Sequence, residues 1–125
     1  EILRRAQHGA PTVSAVMTTC RVLEMQDLVK RVEVSDPVRQ YLVNVVGETR
    51  RHSDAAYGVS PRGGAALQRA AQCHALFEAR PFVTPEDVRE MARHVLPHRL
   101  ILRPSASVTA HDVVEAALDA APVPA

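Results

Sequence analysis

One stretch of the chain repeats its apolar residues with the period of an α-helix. It begins after Ser35, whose side chain can cap a helix, and Pro37 follows in the first turn, where a missing N–H costs nothing. Residues at i, i+3, i+4, i+7, i+8 and i+11 then form one stripe: Val38, Tyr41, Leu42, Val45, Val46 and Thr49. Three cations close it, where they favour the negative end of the helix dipole: Arg50, Arg51 and His52. The sequence therefore predicts a helix that buries one face against other helices.

Four more segments carry a helix-start signal of the same kind. A threonine at position 18 or 19 precedes an apolar face made of Val22, Met25, Leu28, Val29 and Val32. The other three signals are Ser60 with Pro61, Thr84 with Pro85, and Thr109. Aromatic residues make up only 3% of the chain and tryptophan is absent, so its core suits closely packed helices better than a sandwich or barrel. We predict an all-α fold, a compact bundle of about five helices, with a loop at 53–58, a short extended segment at 98–102 and no hairpin.

Net charge and cysteine content argue against several classes of protein. The formal net charge is only +1, so no strong field would draw the chain to nucleic acid or to an anionic membrane. No apolar run approaches the length of a membrane span. Two cysteines, Cys20 and Cys73, are too few for a disulfide scaffold or a CxxC metal site. We expect a cytoplasmic protein in which both thiols are reduced and buried.

Motifs for catalysis and for metal binding are missing as well. A phosphate-binding loop needs a lysine directly after a glycine, but the only lysine, Lys30, follows Val29. His94 and His98 are four residues apart, yet Pro97 breaks the helix that would align them, and we predict no metal site. No serine or cysteine has a recognisable partner base. We therefore expect this chain alone to be unable to hydrolyse a nucleotide.

The most informative stretch for function is Ser60-Pro61-Arg62. A cation in the first turn of a helix is disfavoured by the positive end of the helix dipole. It is stabilised if an anion, with phosphate the obvious candidate, is shared between the guanidinium and open backbone N–H groups. On these residues alone, a surface arginine behind a well-formed cap is the simpler interpretation. Both interpretations place Arg62 at a helix N-terminus.

Several short motifs follow one another along the chain in a definite order. The three longest are Gly58-Val59-Ser60-Pro61-Arg62, Arg80-Pro81-Phe82-Val83-Thr84-Pro85-Glu86-Asp87-Val88 and Val95-Leu96-Pro97-His98-Arg99-Leu100. Upstream of them are Val34-Ser35-Asp36, Tyr41 and Thr49-Arg50. Together they resemble the C-terminal helical lid domain of the MoxR family of AAA+ ATPases, which is related to the lid of magnesium chelatase subunits. The resemblance covers nearly the whole chain.

The resemblance implies a division of labour between two domains. In the family, the P-loop, the Mg-holding acids and the arginine finger belong to a preceding α/β domain, and the lid supplies a sensor-2 arginine. By position that residue is Arg62, which would contact nucleotide phosphates and act in hydrolysis, with Ser60 and Gly63 as the other nucleotide-binding residues. The implied cofactors are ATP and Mg²⁺ in the parent chain, with none bound tightly by this chain alone.

The resemblance also implies partners and boundaries. The expected partners are the chain's own ATPase core, neighbouring subunits of a homo-oligomeric ring, expected to be a hexamer, and protein clients that ATP hydrolysis would remodel or help to mature. Residues 1–13 are expected to be a linker and the tail of the core, 14–121 the lid, and 122–125 a frayed end. Two departures from the family pattern are Gly63-Gly64, which predicts a loose turn, and Ala79, which leaves a helix end without its glycine cap.

Two other functions stay open at this stage. A histone-like or other helical DNA-binding module shares the local order of helix, loop, short extended piece, capped start and helix. A stand-alone protein-interaction bundle would fit the same pattern of helices. The first alternative predicts salt-dependent binding of duplex DNA, and the second predicts a complete gene of about this length.

Overall fold

The computed structural model describes residues 13–124 of the chain. Within them lie five α-helices: α1 (Thr19–Arg31), α2 (Asp36–Arg51), α3 (Pro61–Phe77), α4 (Pro85–Val95) and α5 (Ala110–Ala120). Strand β1 (Ala55–Tyr57) precedes α3, and a 3-10 turn (Pro97–Arg99) and strand β2 (Ile101–Leu102) precede α5. The predicted all-α bundle of about five helices is confirmed. The predicted tail at 1–13 lies almost entirely outside the described residues.

Side chains cap four of these five helices where the sequence predicts a start. The hydroxyl oxygens of Thr18 and Ser60 each accept the backbone N–H of the residue three positions later, at 3.3 Å. Thr84 and Thr109 form capping boxes, in which an aspartate three residues later accepts the threonine's own N–H. Ser35 precedes α2 in an extended conformation and its side chain makes no capping hydrogen bond. Local signals therefore set where the helices begin.

The core lies among α2, α3, α4 and α5. All six residues of the stripe predicted for α2 are buried. Its five residues other than Thr49 belong to one cluster with apolar residues of the other three helices. Helix α1 differs, because none of its residues is buried. On the face predicted there, Val22, Met25 and Leu28 are 38%, 40% and 46% exposed, and Val32, just past the helix end, is the one residue that is buried.

Strands β1 and β2 form a small antiparallel sheet that the sequence does not predict. Ala55 pairs with Leu102 and Tyr57 pairs with Ile101, so the predicted loop at 53–58 is wrong over these three residues. Each strand is too short to show an alternating pattern, and its partner is distant in sequence. The sheet joins the segment before α3 to the segment after the 3-10 turn, which brings two distant motifs together.

Helix α3 ends without the usual glycine. Ala79 has a φ of 55°, in the left-handed region that favours glycine. Its N–H donates to the carbonyl of Leu76 at 3.0 Å, and the N–H of Arg80 donates to the carbonyl of Ala75 at 2.8 Å. This is the hydrogen-bond pattern of a Schellman motif. The backbone therefore closes the helix, although the conformation costs an L residue about 1–2 kcal/mol.

Two expectations about the surface can be compared with the structure. The expected burial of both thiols is wrong, because Cys20 is exposed and Cys73 is half-buried. Cys20 lies in the first turn of α1, which has no buried residue. Among residues 13–124, no helix has both the length and the hydropathy needed to cross a membrane.

Candidate functional site

Arg62 lies in the first turn of α3, and it is exposed. Ser60 holds this turn twice: its hydroxyl accepts the N–H of Gly63 at 3.3 Å, and its carbonyl accepts that of Gly64 at 3.1 Å. Pro61 has no N–H, and the backbone N–H of Arg62 has no acceptor within residues 13–124, so it is an open donor at the helix end. Within residues 13–124, the guanidinium of Arg62 forms no hydrogen bond or ion pair. The turn therefore presents a free cation at the positive end of a helix.

The segment that carries this turn is clamped to the end of α2. Thr49 is fully buried; its hydroxyl donates to the carbonyl of Val46 at 2.7 Å and accepts the N–H of Val59 at 3.0 Å. Arg50 Nε donates to the carbonyl of Val59 at 2.8 Å. Both backbone polar groups of Val59 are thus held by neighbours on α2, one residue before the cap of α3. Arg62 is positioned by this clamp and by its own helix.

Two glycines allow close packing around the start of α3, one in the segment before the helix and one in its first turn. A Cβ atom at Gly58 would lie 2.6 Å from the backbone N and Cα of Arg50, and one at Gly63 would lie 2.4 Å from Cγ1 of Val59. Both distances are far below van der Waals contact, so no larger residue fits without a shift. At Gly64 a Cβ atom would lie 3.5 Å from its nearest neighbour, which is ordinary contact. Packing therefore requires glycine at position 63, and it does not require glycine at position 64.

Arg80 belongs to a structural ion pair. It donates two hydrogen bonds to the carboxylate of Asp87, at 2.8 and 2.6 Å. Asp87 is only 1% exposed, and it also lies 2.7 Å from His74 Nδ1 and accepts two bonds from Thr84, at 2.8 and 3.1 Å. Burial alone would raise the pKa of Asp87, but the donors on Arg80, Thr84 and His74 outweigh it and hold that pKa well below its usual range. Arg80 ties the end of α3 to the start of α4.

Arg99 lies on the 3-10 turn, and the sequence assigns it no role. Its residue is exposed, and its Cδ would lie 3.5 Å from a Cβ atom at Gly63. Its side chain therefore passes the first turn of α3 at Gly63, the residue after Arg62. Sequence reasoning also leaves out what Thr49 does for the site. A threonine at a buried position of the α2 stripe was the available signal, because a buried hydroxyl needs a hydrogen-bond partner.

The first turn of α3 offers the groups of an anion-binding site. Among residues 13–124, no group of three or more His, Cys, Asp or Glu side chains is arranged to hold a metal ion. Arg62 and the open N–H of its turn can contact an anion, and a groove of about 380 Å³ between α2 and α3 flanks the turn at Pro61, Gly64 and Arg50. Such a site can bind an anionic group.

The AAA lid domain family matches residues 47–121 of the chain. The chain belongs to this family. The matched part of the lid contains the clamp at Thr49 and Arg50, the turn of Arg62 and the ion pair of Arg80 with Asp87. Helix α1 and most of α2 precede it.

Relatives narrow the family to the MoxR type. The lid is 35% identical to "Uncharacterized protein YeaC" of Bacillus subtilis, over 98% of this chain and 39% of that protein. It is 32% identical to "Chaperone MoxR1" of Mycobacterium tuberculosis, over 82% of this chain and 29% of that protein. A third relative, "Protein MoxR" of Paracoccus denitrificans, is 44% identical over 54% of this chain and 21% of its own length. The chain is thus a lid of the MoxR family of AAA+ ATPases and spans about two fifths or less of these relatives.

A solved structure has the same fold. A candidate ATPase from Cytophaga hutchinsonii superposes on this lid with a TM-score of 0.83 and 27% sequence identity. The superposition covers 99% of this chain and 42% of the other protein. The arrangement of helices described above is therefore the arrangement of a domain within a longer protein in that structure.

Proposed function

We propose that this lid senses the nucleotide of a MoxR-type AAA+ ATPase, with Arg62 as its sensor-2 arginine. The observation that carries the proposal is the exposed guanidinium of Arg62, which has no partner among residues 13–124. It lies on a turn that is held by the bonds of Val59 to α2 and by the Ser60 cap. The family match supports this role over a histone-like DNA-binding module or a stand-alone interaction bundle.

The electrostatics of the turn favour an anion. The positive end of the α3 dipole and the guanidinium of Arg62 repel each other by themselves, and a phosphate group between them reverses the sign of both interactions. A triphosphate offers its terminal group to Arg62, whereas a diphosphate does not reach as far. Because Arg62 would bind a triphosphate more tightly than a diphosphate, the bound nucleotide would influence the orientation of the lid. Ser60 completes the proposed site as the cap of the turn, and Gly63 completes it by allowing the close approach to Val59.

The remaining parts of the proposal concern the whole protein. ATP and Mg²⁺ are bound by a preceding ATPase core, which occupies the part of the longer chain upstream of 14–121. Subunits form a homo-oligomeric ring, a hexamer, in the cytoplasm, and hydrolysis drives the remodelling or maturation of client proteins. The lid alone binds nucleotide weakly and does not hydrolyse it, because one arginine and one helix end supply little binding energy.

The test is Arg62→Ala in the full-length protein that carries this domain. Loss of a positioned charge that meets developing phosphate charge lowers kcat by on the order of 100-fold, while the exposed side chain contributes little to folding. Arg62→Lys should rescue poorly, since an ammonium does not reproduce the planar fork of a guanidinium. Arg31→Ala, at the exposed end of α1, is the matched control. Unchanged turnover in Arg62→Ala, with Arg31→Ala also unchanged, would contradict the sensor role.

A further inference from the structure

A second arginine reaches the turn of Arg62 from a different part of the chain. Arg99 is the last residue of the 3-10 turn, and its N–H donates to the carbonyl of Leu96 at 2.9 Å. Leu96 is fully buried and Leu100 is 8% exposed, so the turn is anchored on both sides of Arg99. The backbone position of Arg99 is therefore fixed, which suits a side chain that must reach a fixed partner.

The side chain of Arg99 passes close to Gly63. The aliphatic stem crosses the first turn of α3 where a Cβ atom at Gly63 would contact Cδ of Arg99 at 3.5 Å. Gly63 is buried, although the two residues before it in the same turn, Pro61 and Arg62, are exposed. Arg99 Cδ therefore lies beside Gly63, the residue after Arg62, and the two arginines belong to different elements.

Arg99 differs from other arginines of the 80–103 segment in having no described partner. Arg89 is paired with Asp119 at 3.2 Å, Arg93 with Glu115 at 2.7 Å, and Arg80 with Asp87. Arg103 Nε donates to the carbonyl of Ser53 at 2.9 Å. Within residues 13–124, the guanidinium of Arg99 has neither an ion pair nor a hydrogen bond. Two unpaired cations beside the positive end of α3 repel each other, and a polyanion relieves that repulsion.

We propose that Arg99 is a second phosphate-binding residue of the site that contains Arg62. The proposal rests on the proposed function. It specifies the ligand as the terminal phosphates of a nucleoside triphosphate. Two guanidinium groups offer more N–H donors than one phosphoryl oxygen accepts, so a group with several phosphate oxygens suits them. Arg62 and Arg99 then contact the same group, one from α3 and one from the 3-10 turn. Losing the terminal phosphate frees both arginines at once.

The experiment measures equilibrium binding of AMP-PNP and of ADP to the full-length protein by calorimetry, for Arg99→Ala, Arg62→Ala and the double variant. We expect Arg99→Ala to weaken AMP-PNP binding by on the order of tenfold and ADP binding much less. Arg99→Lys should recover part of the loss, because it keeps the charge. The double variant should lose less than the product of the two single losses, since the arginines share one anion. Arg31→Ala is the control, and thermal unfolding checks that each variant is folded.

The outcomes separate the two proposals. If Arg99→Ala binds AMP-PNP as the wild type does while Arg62→Ala is impaired, Arg99 has no part in the site and the sensor role of Arg62 stands. If both variants bind and hydrolyse as the wild type does, both proposals are wrong. An equal loss for AMP-PNP and ADP in Arg99→Ala, with no rescue by lysine, indicates a structural role and also overturns the inference.

Discussion

Three glycines of this lid should respond to the same substitution in three different ways. Gly47 lies in the middle of α2, and a Cβ atom there would meet nothing within 4 Å. At Gly64 it would meet Val46 and Leu42 at 3.5 and 3.7 Å, and at Gly63 it would meet Val59 at 2.4 Å. Replacing each by alanine adds one methyl group in an α-helix, so the variants differ only in the space that the methyl group finds.

The expected changes in the free energy of unfolding follow from these distances. Alanine is better than glycine in a helix by about 1 kcal/mol, which is the whole gain expected for Gly47→Ala. Gly64→Ala adds the burial of a methyl group, so we expect a gain of about 1–2 kcal/mol. Gly63→Ala forces apart α3 and Val59, whose backbone is held by Thr49 and Arg50. Overpacking costs about 1–3 kcal/mol. After the helix gain of about 1 kcal/mol is subtracted, the middle of that range leaves a net loss of about 1 kcal/mol.

Urea unfolding followed by far-ultraviolet circular dichroism measures all three changes on the 125-residue chain. A constant m-value shows that the midpoint shift reports stability and not a change in compactness. Thermal unfolding gives a second measure, with about 4 °C expected per kcal/mol for a domain of this size. Gly47→Ala serves as the internal reference, because its gain contains the helix propensity alone.

One result would refute the reasoning directly. If Gly63→Ala is as stable as Gly47→Ala, then Val59 does not occupy the position described, and the clamp that positions Arg62 is wrong with it. A loss in Gly64→Ala would show instead that the groove between α2 and α3 has no room for a methyl group. Either result separates the packing argument from the propensity argument.

Two further predictions concern the ends of α3 and α4. Asp87→Ala should lower the free energy of unfolding by about 3 kcal/mol, because it leaves Arg80 and His74 without their shared acceptor. Since the folded-state pKa of Asp87 is lowered, the stability that this carboxylate contributes is fully present above its ordinary pKa of 3.8 and is lost as the pH falls below that value. Asp87→Asn should therefore weaken the acid dependence of urea unfolding, and an unaltered pH profile would contradict this linkage. Ala79→Gly, just past the end of α3, should raise the thermal midpoint by relieving about 1 kcal/mol of left-handed backbone strain. Ala65→Gly, inside α3, should lower the thermal midpoint. Shifts of the same sign in both variants would be inconsistent with the Schellman geometry.

Much of the fold could be predicted because its signals are local. Thr84 and Asp87, or Thr109 and Asp112, are three residues apart, and a capping box needs nothing further. The α2 stripe was predicted in full because a repeat at helical spacing implies one buried face. The same rule failed for α1, whose apolar residues are exposed in this structure. Periodicity indicates which face of a helix prefers burial. Whether a described neighbour covers that face depends on residues of other elements.

For the site, the sequence alone determined the capped turn of Ser60, Pro61 and Arg62, because capping depends on atoms within one helical turn. Only the tertiary structure decided what holds that turn and what lies beside it. Val59 is bonded to Thr49 and Arg50, β1 pairs with β2, and Arg99 passes over Gly63. These contacts join residues that are about ten to fifty positions apart, and they form because buried hydroxyl and backbone groups must find partners wherever the packing of helices brings them together.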